Sequence, residues 1–131
     1  MSTRHRVIDP EGMTKPATYA HVVQAAPGRM LFCAGQVSED EQGNVVGAGD
    51  MRAQTTQVMR NLERVLAAAG ASLDDVVRLV WYVTDLSKVD ELRAVRNEVL
   101  AGRRVASTLV QVTSLYKPDL LVELEATAVA S

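Results

Sequence analysis

The pattern of hydrophobic and polar residues along this chain predicts two helices and six strands. Apolar residues recur at helical spacing over residues 51–69, where Asp50 can cap the start and Gly70 supplies the stop. The same spacing predicts a second helix over residues 89–100, with Ser87 and Asp90 as a capping-box-like start and Gly102 after its end. Shorter apolar runs, several of them alternating, predict strands at residues 4–8, 19–25, 30–36, 76–84, 106–112 and 120–129.

The order of these elements, β-β-β-α-β-α-β-β, predicts an α+β fold in a single domain spanning residues 1–131. Two helices can cover only one face of such a sheet. The predicted strand 76–84 is nevertheless apolar on both faces, and a large uncovered apolar face is typical of an association surface. We therefore expect an oligomer in which the second faces of the sheets meet. The two predicted faces of this strand carry Val77, Leu79, Trp81 and Val83 on one side and Val76, Val80 and Tyr82 on the other.

Glycine residues predict two local features in the first half of the chain. Pro27 and Gly28 form a turn signal that would close a hairpin between the predicted strands 19–25 and 30–36. The second of these strands is predicted to be buried, and Gly35 within it indicates a bulge or a close backbone approach.

The last predicted strand, residues 120–129, has two different faces. One face is entirely apolar, whereas the other carries Glu123 and Glu125 among apolar residues. These carboxylates belong either to a solvated sheet face or to a subunit interface. In an interface, desolvation would raise the pKa of the carboxyl group and suit it to proton transfer. The residues alone leave both alternatives open.

Composition and charge exclude several classes of protein. The only cysteine, Cys33, allows no intrachain disulfide and no thiolate-rich zinc site, and in a predicted strand it is interpreted as a small core residue. His5 and His21 lack ligand-like spacing, so we predict no metal site. A net charge of −2 without a basic stripe argues against a constitutive nucleic-acid binder. Since neither a signal-peptide pattern nor a membrane-length apolar run is present, we expect a cytoplasmic protein that makes no membrane contact.

An ordered set of short segments is spread over nearly the whole chain. The segments are Tyr19 after Pro16, Cys33 to Gln36, residues 54–70 with Gln57 and Asn61, residues 80–86, Leu115, Pro118 and residues 121–126. By their order and spacing together, they resemble the RidA family, also called YjgF or Rid. The resemblance implies a chorismate-mutase-like α+β fold, with two helices packed on one face of a mixed sheet. It also implies a homotrimer in which the sheets form an inner barrel and clefts lie between neighbouring subunits.

The resemblance also implies a chemistry and a set of site residues. The best-known activity of the family is hydrolysis of reactive enamines and imines such as 2-aminoacrylate to 2-keto acids and ammonia, without a cofactor. The family's carboxylate, which orients water or moves a proton, falls on Glu123 and makes it the catalytic candidate. The implied substrate-binding positions are Tyr19, Ala34, Gly35, Ser107, Thr108 and Leu109.

One implied position departs from the family pattern. The arginine that clamps the substrate carboxylate falls on Ser107, which offers one hydroxyl and no charge. Loss of that clamp is expected to weaken binding of a 2-imino carboxylate by at least about tenfold to a hundredfold. The chain thus resembles an arginine-lacking branch, and we do not expect an efficient 2-aminoacrylate deaminase. Arg103 or Arg104 either supplies the missing charge or is a solvated charge at the helix end.

Three functions remain open on the sequence. The first is hydrolysis of an imine, an enamine or a related carbonyl compound, with Glu123 as the general acid/base. The second is a non-catalytic module that binds a small metabolite, possibly one bearing a carboxylate, or a partner protein. The third is RNA cleavage, as reported for some relatives, which the net charge opposes.

Overall fold

The computed structural model describes residues 4–131 and contains the predicted six strands and two helices, in the predicted order, within that range. Two short 3₁₀ turns, Leu73–Asp75 and Leu86–Lys88, precede β4 and α2. The regular elements are β1 (Arg6–Ile8), β2 (Val22–Gln24), β3 (Arg29–Val37), α1 (Met51–Ala68), β4 (Val76–Val83), α2 (Val89–Leu100), β5 (Ala106–Gln111) and β6 (Val122–Ala130).

Four of the strands form one mixed sheet in the order β3-β6-β4-β5. The central strand β6 is antiparallel to both β3 and β4, whereas β5 is parallel to β4. Helices α1 and α2 pack against each other and cover one face of this sheet, and we call the other face the outer face. The predicted α+β arrangement of two helices on one side of a mixed sheet is therefore confirmed.

The core lies between the helices and the helix-facing side of the sheet. The alternation predicted for β6 is confirmed, because its alternate apolar residues are buried there. Cys33 and Trp81 also belong to this core, as expected for a small hydrophobe and a large aromatic residue. The buried residues of the last strand and its approach are Leu120, Val122, Leu124, Ala126 and Ala128.

The predicted hairpin between the second and third strands is wrong. β2 pairs with β1 in a separate two-stranded sheet, and β3 pairs with β6 from Arg29 onward. Gly28 lies so close to the end of β6 that an added Cβ would be 2.1 Å from the Ala130 carbonyl oxygen. The turn at Gly28 thus directs the chain alongside β6, which offers a longer pairing partner than the three-residue β2.

Two burial predictions also need correction. β3 is not buried throughout, because Met30 and Phe32 lie on the outer face with 60% and 78% of their surface exposed. On β4, Val76 and not Val77 is buried with Leu79. A register shift between Val76 and Arg78 against β6 reverses the alternation at that point.

The predicted cap of α1 is confirmed, whereas that of α2 is wrong. Asp50 accepts a hydrogen bond from the Ala53 amide at 3.0 Å. Ser87, by contrast, lies in the preceding 3₁₀ turn, where its amide and hydroxyl both donate to Asp85 at 2.9 and 2.6 Å. Because Ser87 is used one turn earlier, α2 starts after Lys88 without a side-chain cap. Within residues 4–131, neither helix has the length and apolar character needed to cross a membrane.

Candidate functional site

Glu123 lies on the outer face of β6 and is half-buried against the backbone of β3. A Cβ added at Gly35 would be 2.0 Å from Glu123 Oε2. The pairing of β3 with β6 shifts register between Cys33 and Gln36, so the bulge and the close approach predicted at Gly35 are both observed. Glycine at this position therefore leaves the space that the carboxylate occupies.

Tyr82 and Glu125 lie beside Glu123, although neither was predicted as a site residue. Tyr82 is the β4 partner of Glu123, and its hydroxyl donates a hydrogen bond to Glu125. The alternation of side chains along β4 and β6 places Tyr82, Glu123 and Glu125 on the same face of the sheet, the outer face. Together with residues of the β5–β6 connection they line an open pocket of about 380 Å³, formed by Gly35, Tyr82, Val112, Ser114, Leu115, Glu123 and Glu125.

Desolvation is the main electrostatic influence on Glu123. Partial burial raises the pKa of this carboxyl group above its ordinary value, and the nearby charge of Glu125 raises it further. The hydrogen bond to Glu125 in turn raises the pKa of Tyr82. Glu123 is thus the lining residue best suited to hold and release a proton. Within residues 4–131 no group of three or more His, Cys, Asp or Glu side chains is arranged to hold a metal ion.

The residues near the start of β5 form a separate group. Ala20 donates its amide to the Val105 carbonyl at 2.9 Å, which holds the preceding Tyr19 near the first residues of β5. The Tyr19 ring is 37% exposed and meets the His21 ring edge to face at 5.8 Å between centroids.

Three further candidates lie on β5, and their register with β4 fixes the face on which each lies. Ser107 pairs with the buried Leu79 and Leu109 with the buried Trp81, so both lie on the helix-facing side. Thr108 pairs with Val80 and lies exposed on the outer face.

Within one chain, the structure does not bring Ser107 and Glu123 together. They lie on opposite faces of the sheet, on strands that β4 separates. Ala34 is exposed on β3 beside Gly35, at the edge of the sheet farthest from Ser107. Gly35 alone among the predicted binding residues lines a pocket with Glu123. A site that uses both groups of residues requires a second copy of the chain.

Arg103 and Arg104 are both engaged in ion pairs. Arg103 Nε lies 2.7 Å from Asp74 Oδ1, and its Nη1 donates to the Leu100 carbonyl at the end of α2. Arg104 Nη2 donates to both oxygens of Asp9 at 2.9 and 2.8 Å. Arg103 is therefore a helix-end charge, as the second alternative held, but neither residue is simply solvated, because carboxylates compensate both guanidinium groups.

The β5–β6 connection, which supplies Ser114 and Leu115 to the pocket, is held in place at two points. The buried side chain of Gln54 in α1 donates to the Asp119 carbonyl at 2.8 Å and accepts from the Leu121 amide at 2.8 Å. Lys117 Nζ lies 2.5 Å from Glu39 Oε2. Of these residues, Gln54 could have been singled out in the sequence, because it is a polar residue beside the apolar stripe of α1.

Comparison with known proteins agrees with the resemblance in the sequence. A family model described as endoribonuclease L-PSP matches residues 12–130. A RutC family protein of Pyrococcus horikoshii is 36% identical over 123 residues, which cover 93% of this chain and 95% of the relative.

Two solved structures extend the comparison. The crystal structure of YyfB, a Rid family protein from Yersinia pestis, is 39% identical, with a TM-score of 0.90 over 98% of this chain and 100% of that chain. A YjgF/YER057c/UK114 family member from Mycobacterium tuberculosis is 36% identical, with a TM-score of 0.69 over 86% of each chain. The chain therefore belongs to the endoribonuclease L-PSP family, to which the proteins called RutC, Rid and YjgF also belong.

Proposed function

We propose that this protein hydrolyses a reactive imine, enamine or related metabolite, with Glu123 as the general acid/base and without a cofactor. The observation that carries the proposal is the half-buried Glu123 carboxyl group, which lies against Gly35 in an open pocket with its pKa raised by burial. Water adds to the C=N carbon, Glu123 moves a proton to the nitrogen, and cleavage of the C–N bond leaves a carbonyl compound and ammonia.

The active unit in this proposal is a homotrimer with clefts between neighbouring copies. The separation of the two groups of site residues supports it, because Tyr19 and Ser107 lie near β5 whereas Gly35 and Glu123 lie at β3 and β6. The exposed side chains of Met30 and Phe32 on the outer face also support association. Each cleft then combines the Glu123 pocket of one copy with the β5 residues of the next.

The proposed substrate is not 2-aminoacrylate itself. The resemblance places Ser107 at the position of the carboxylate-binding arginine, and the nearby Arg103 and Arg104 are paired with Asp74 and Asp9. Since no compensating charge comes from these neighbours, binding of 2-imino carboxylates is expected to be weaker by at least about tenfold to a hundredfold. The proposal therefore includes membership of an arginine-lacking branch of the family, which the pairing of Arg103 and Arg104 supports.

Ammonia release from a panel of imines and enamines tests the proposal. The panel includes carboxylate-bearing imines, uncharged imines and 2-aminoacrylate generated in the assay by a pyridoxal-phosphate lyase. We expect turnover of at least one non-carboxylate imine that falls at least a hundredfold in Glu123→Gln, and no more than slow turnover of 2-aminoacrylate. An unchanged rate in Glu123→Gln would contradict the assigned role.

A non-catalytic metabolite-binding module is the alternative, and the same panel separates it. Calorimetric binding of a compound that is recovered unchanged would identify a binding module and contradict the proposed hydrolysis. The family description also names an endoribonuclease, so an RNA substrate belongs in the assay. Because two carboxylates line the pocket and would repel phosphates, we expect no RNA cleavage that depends on Glu123.

A further inference from the structure

The pocket around Glu123 carries negative charge without a compensating cation in its wall. Two of its seven lining residues are glutamates, and none is a lysine or an arginine. The remaining wall consists of backbone and uncharged side chains, with Val112 and Leu115 as its apolar part. Such a wall favours a ligand that brings positive charge and disfavours an anion.

Glu125 is the carboxylate of this wall that can hold a cation. Its Oε1 atom accepts the Tyr82 hydroxyl, which fixes the side chain on the outer face of β6. A carboxylate has about four acceptor positions on its two oxygens, so this one bond leaves acceptor capacity for a ligand N–H. Glu123 differs from Glu125, because burial and the charge of Glu125 both favour its protonated form.

None of the three arginines Arg78, Arg103 and Arg104 lines the Glu123 pocket. Arg104 makes two hydrogen bonds to Asp9 and one to the Tyr19 carbonyl, and Arg103 is paired with Asp74. Arg78 does not line the Glu123 pocket, but it lines a neighbouring depression of the outer face with Tyr82, Glu125 and Thr127, and its charge acts on Tyr82. In the proposed trimer, the β5 residues of a neighbouring copy would bring Arg103 and Arg104 with the same carboxylate partners.

We propose that this pocket selects a cationic nitrogen, as in a protonated amine or an iminium ion, with Glu125 as its anionic partner and Glu123 as the adjacent proton carrier. The proposal rests on the proposed function, since it places the reacting nitrogen at Glu123. An iminium ion suits the reaction, because its positive charge makes the C=N carbon more open to attack by water. The balanced reaction converts an iminium ion and one water into a carbonyl compound and an ammonium ion.

Equilibrium binding of three ligands of similar size but different charge tests this selectivity without turnover. Benzylammonium, benzyl alcohol and benzoate are titrated into the full-length protein at neutral pH and followed by amide chemical shifts in NMR spectra. We expect benzylammonium to bind at least tenfold more tightly than benzoate, with shifts at Gly35, Tyr82 and Glu125. In Glu125→Gln, which keeps the shape of the side chain, this preference should fall to less than threefold.

The matched control is Glu63→Gln, which removes the same charge from the exposed surface of α1 and should keep the full preference. Benzoate binding as tight as that of benzylammonium would overturn the proposal. If that benzoate binding disappeared in Arg78→Gln, the overturning result would identify Arg78 as an anion site. Preference for benzylammonium without imine hydrolysis in the separate assay would contradict only the proposed reaction.

Discussion

At the scale of single residues, the contact between Gly35 and Glu123 links the backbone of β3 to the proposed chemistry. In Gly35→Ala the new Cβ would lie 2.0 Å from Glu123 Oε2 and 2.7 Å from Cδ, so the carboxyl group must move. Because these atoms are the far end of a flexible side chain, we expect a loss of unfolding free energy of only about 1 kcal/mol. The activity attributed to Glu123 should fall at least tenfold. Ammonia release measures the activity, and urea unfolding measures the change in stability.

Gly28→Ala is the matched comparison for that substitution. Its Cβ would lie 2.1 Å from the backbone oxygen of Ala130, which cannot rotate away. We expect a greater loss of stability, about 2–3 kcal/mol, with activity per folded molecule unchanged. If Gly35→Ala were more destabilising than Gly28→Ala and yet kept full activity, the activity would not require Glu123 to occupy its present position.

The raised pKa of Glu123 predicts a pH dependence of stability. Where the folded-state pKa exceeds the ordinary value of 4.5, the folded protein binds more protons than the unfolded chain at intermediate pH. The stabilising contribution of protonated Glu123 is complete below that ordinary value and is lost as pH rises through the folded pKa. Urea unfolding from pH 4 to pH 8 should therefore show Glu123→Gln gaining stability relative to wild type as pH rises. If Glu123→Gln instead gained stability relative to wild type as the pH is lowered, the pKa of Glu123 in the folded protein would be depressed.

At the scale of elements, Gln54 joins α1 to the connection that walls the pocket. Its side chain is fully buried and bonds to the Gly47 and Asp119 carbonyls and to the Leu121 amide. Gln54→Leu leaves these backbone groups without that partner, so we expect a loss of about 2–4 kcal/mol of unfolding free energy. Hydrogen exchange should also speed up at the Leu121 amide, which loses its acceptor.

Gln57→Leu, one turn along α1, provides the control for Gln54→Leu. The Gln57 amide is half-buried and donates to the side chain of Asn61 at 2.9 Å. Since that partner keeps its own bonds to the Val37 and Glu39 carbonyls, we expect a loss below about 1 kcal/mol. Because leucine and glutamine have similar helix propensities, equal losses in the two variants would show that the bonds of Gln54 to the connection contribute no more than the single Gln57 bond.

Periodicity predicted the elements well, because both helices and β6 bury one continuous stripe whose spacing is visible in the sequence. Pairing was harder to predict, since a short strand such as β2 carries no information on which partner it will find. The start of α2 at Val89 was predicted correctly, but its cap was not, because Asp85, two residues upstream, competes for Ser87. In the site, Gly35 was found from the resemblance and from its place as a glycine within a predicted strand. Alternation places Tyr82 on one face of its strand, but only the register shows that it lies opposite Glu123.

At the scale of the whole molecule, the outer face of the sheet is the least complete surface of the protomer. Its apolar part includes Phe32 and Met30 on β3 and Val110 on β5, all largely exposed. Burial of a side chain of this size contributes about 1.5–3 kcal/mol, so a protomer alone leaves a substantial stabilisation unused. The same face carries the carboxylates of the proposed site, so the proposed assembly and the proposed chemistry depend on one surface.

Phe32→Glu tests that dependence, because it places a carboxylate at the most exposed of these apolar residues. We expect wild type to have a mass in solution of about three times 14.2 kDa by light scattering, and the variant to dissociate. Imine hydrolysis should be lost with dissociation, since each proposed cleft needs two copies. Met13→Glu, at an exposed residue of the loop between β1 and β2, should keep both mass and activity. A Phe32→Glu protein that is monomeric yet fully active would place the whole site within one chain and remove the reason for the assembly.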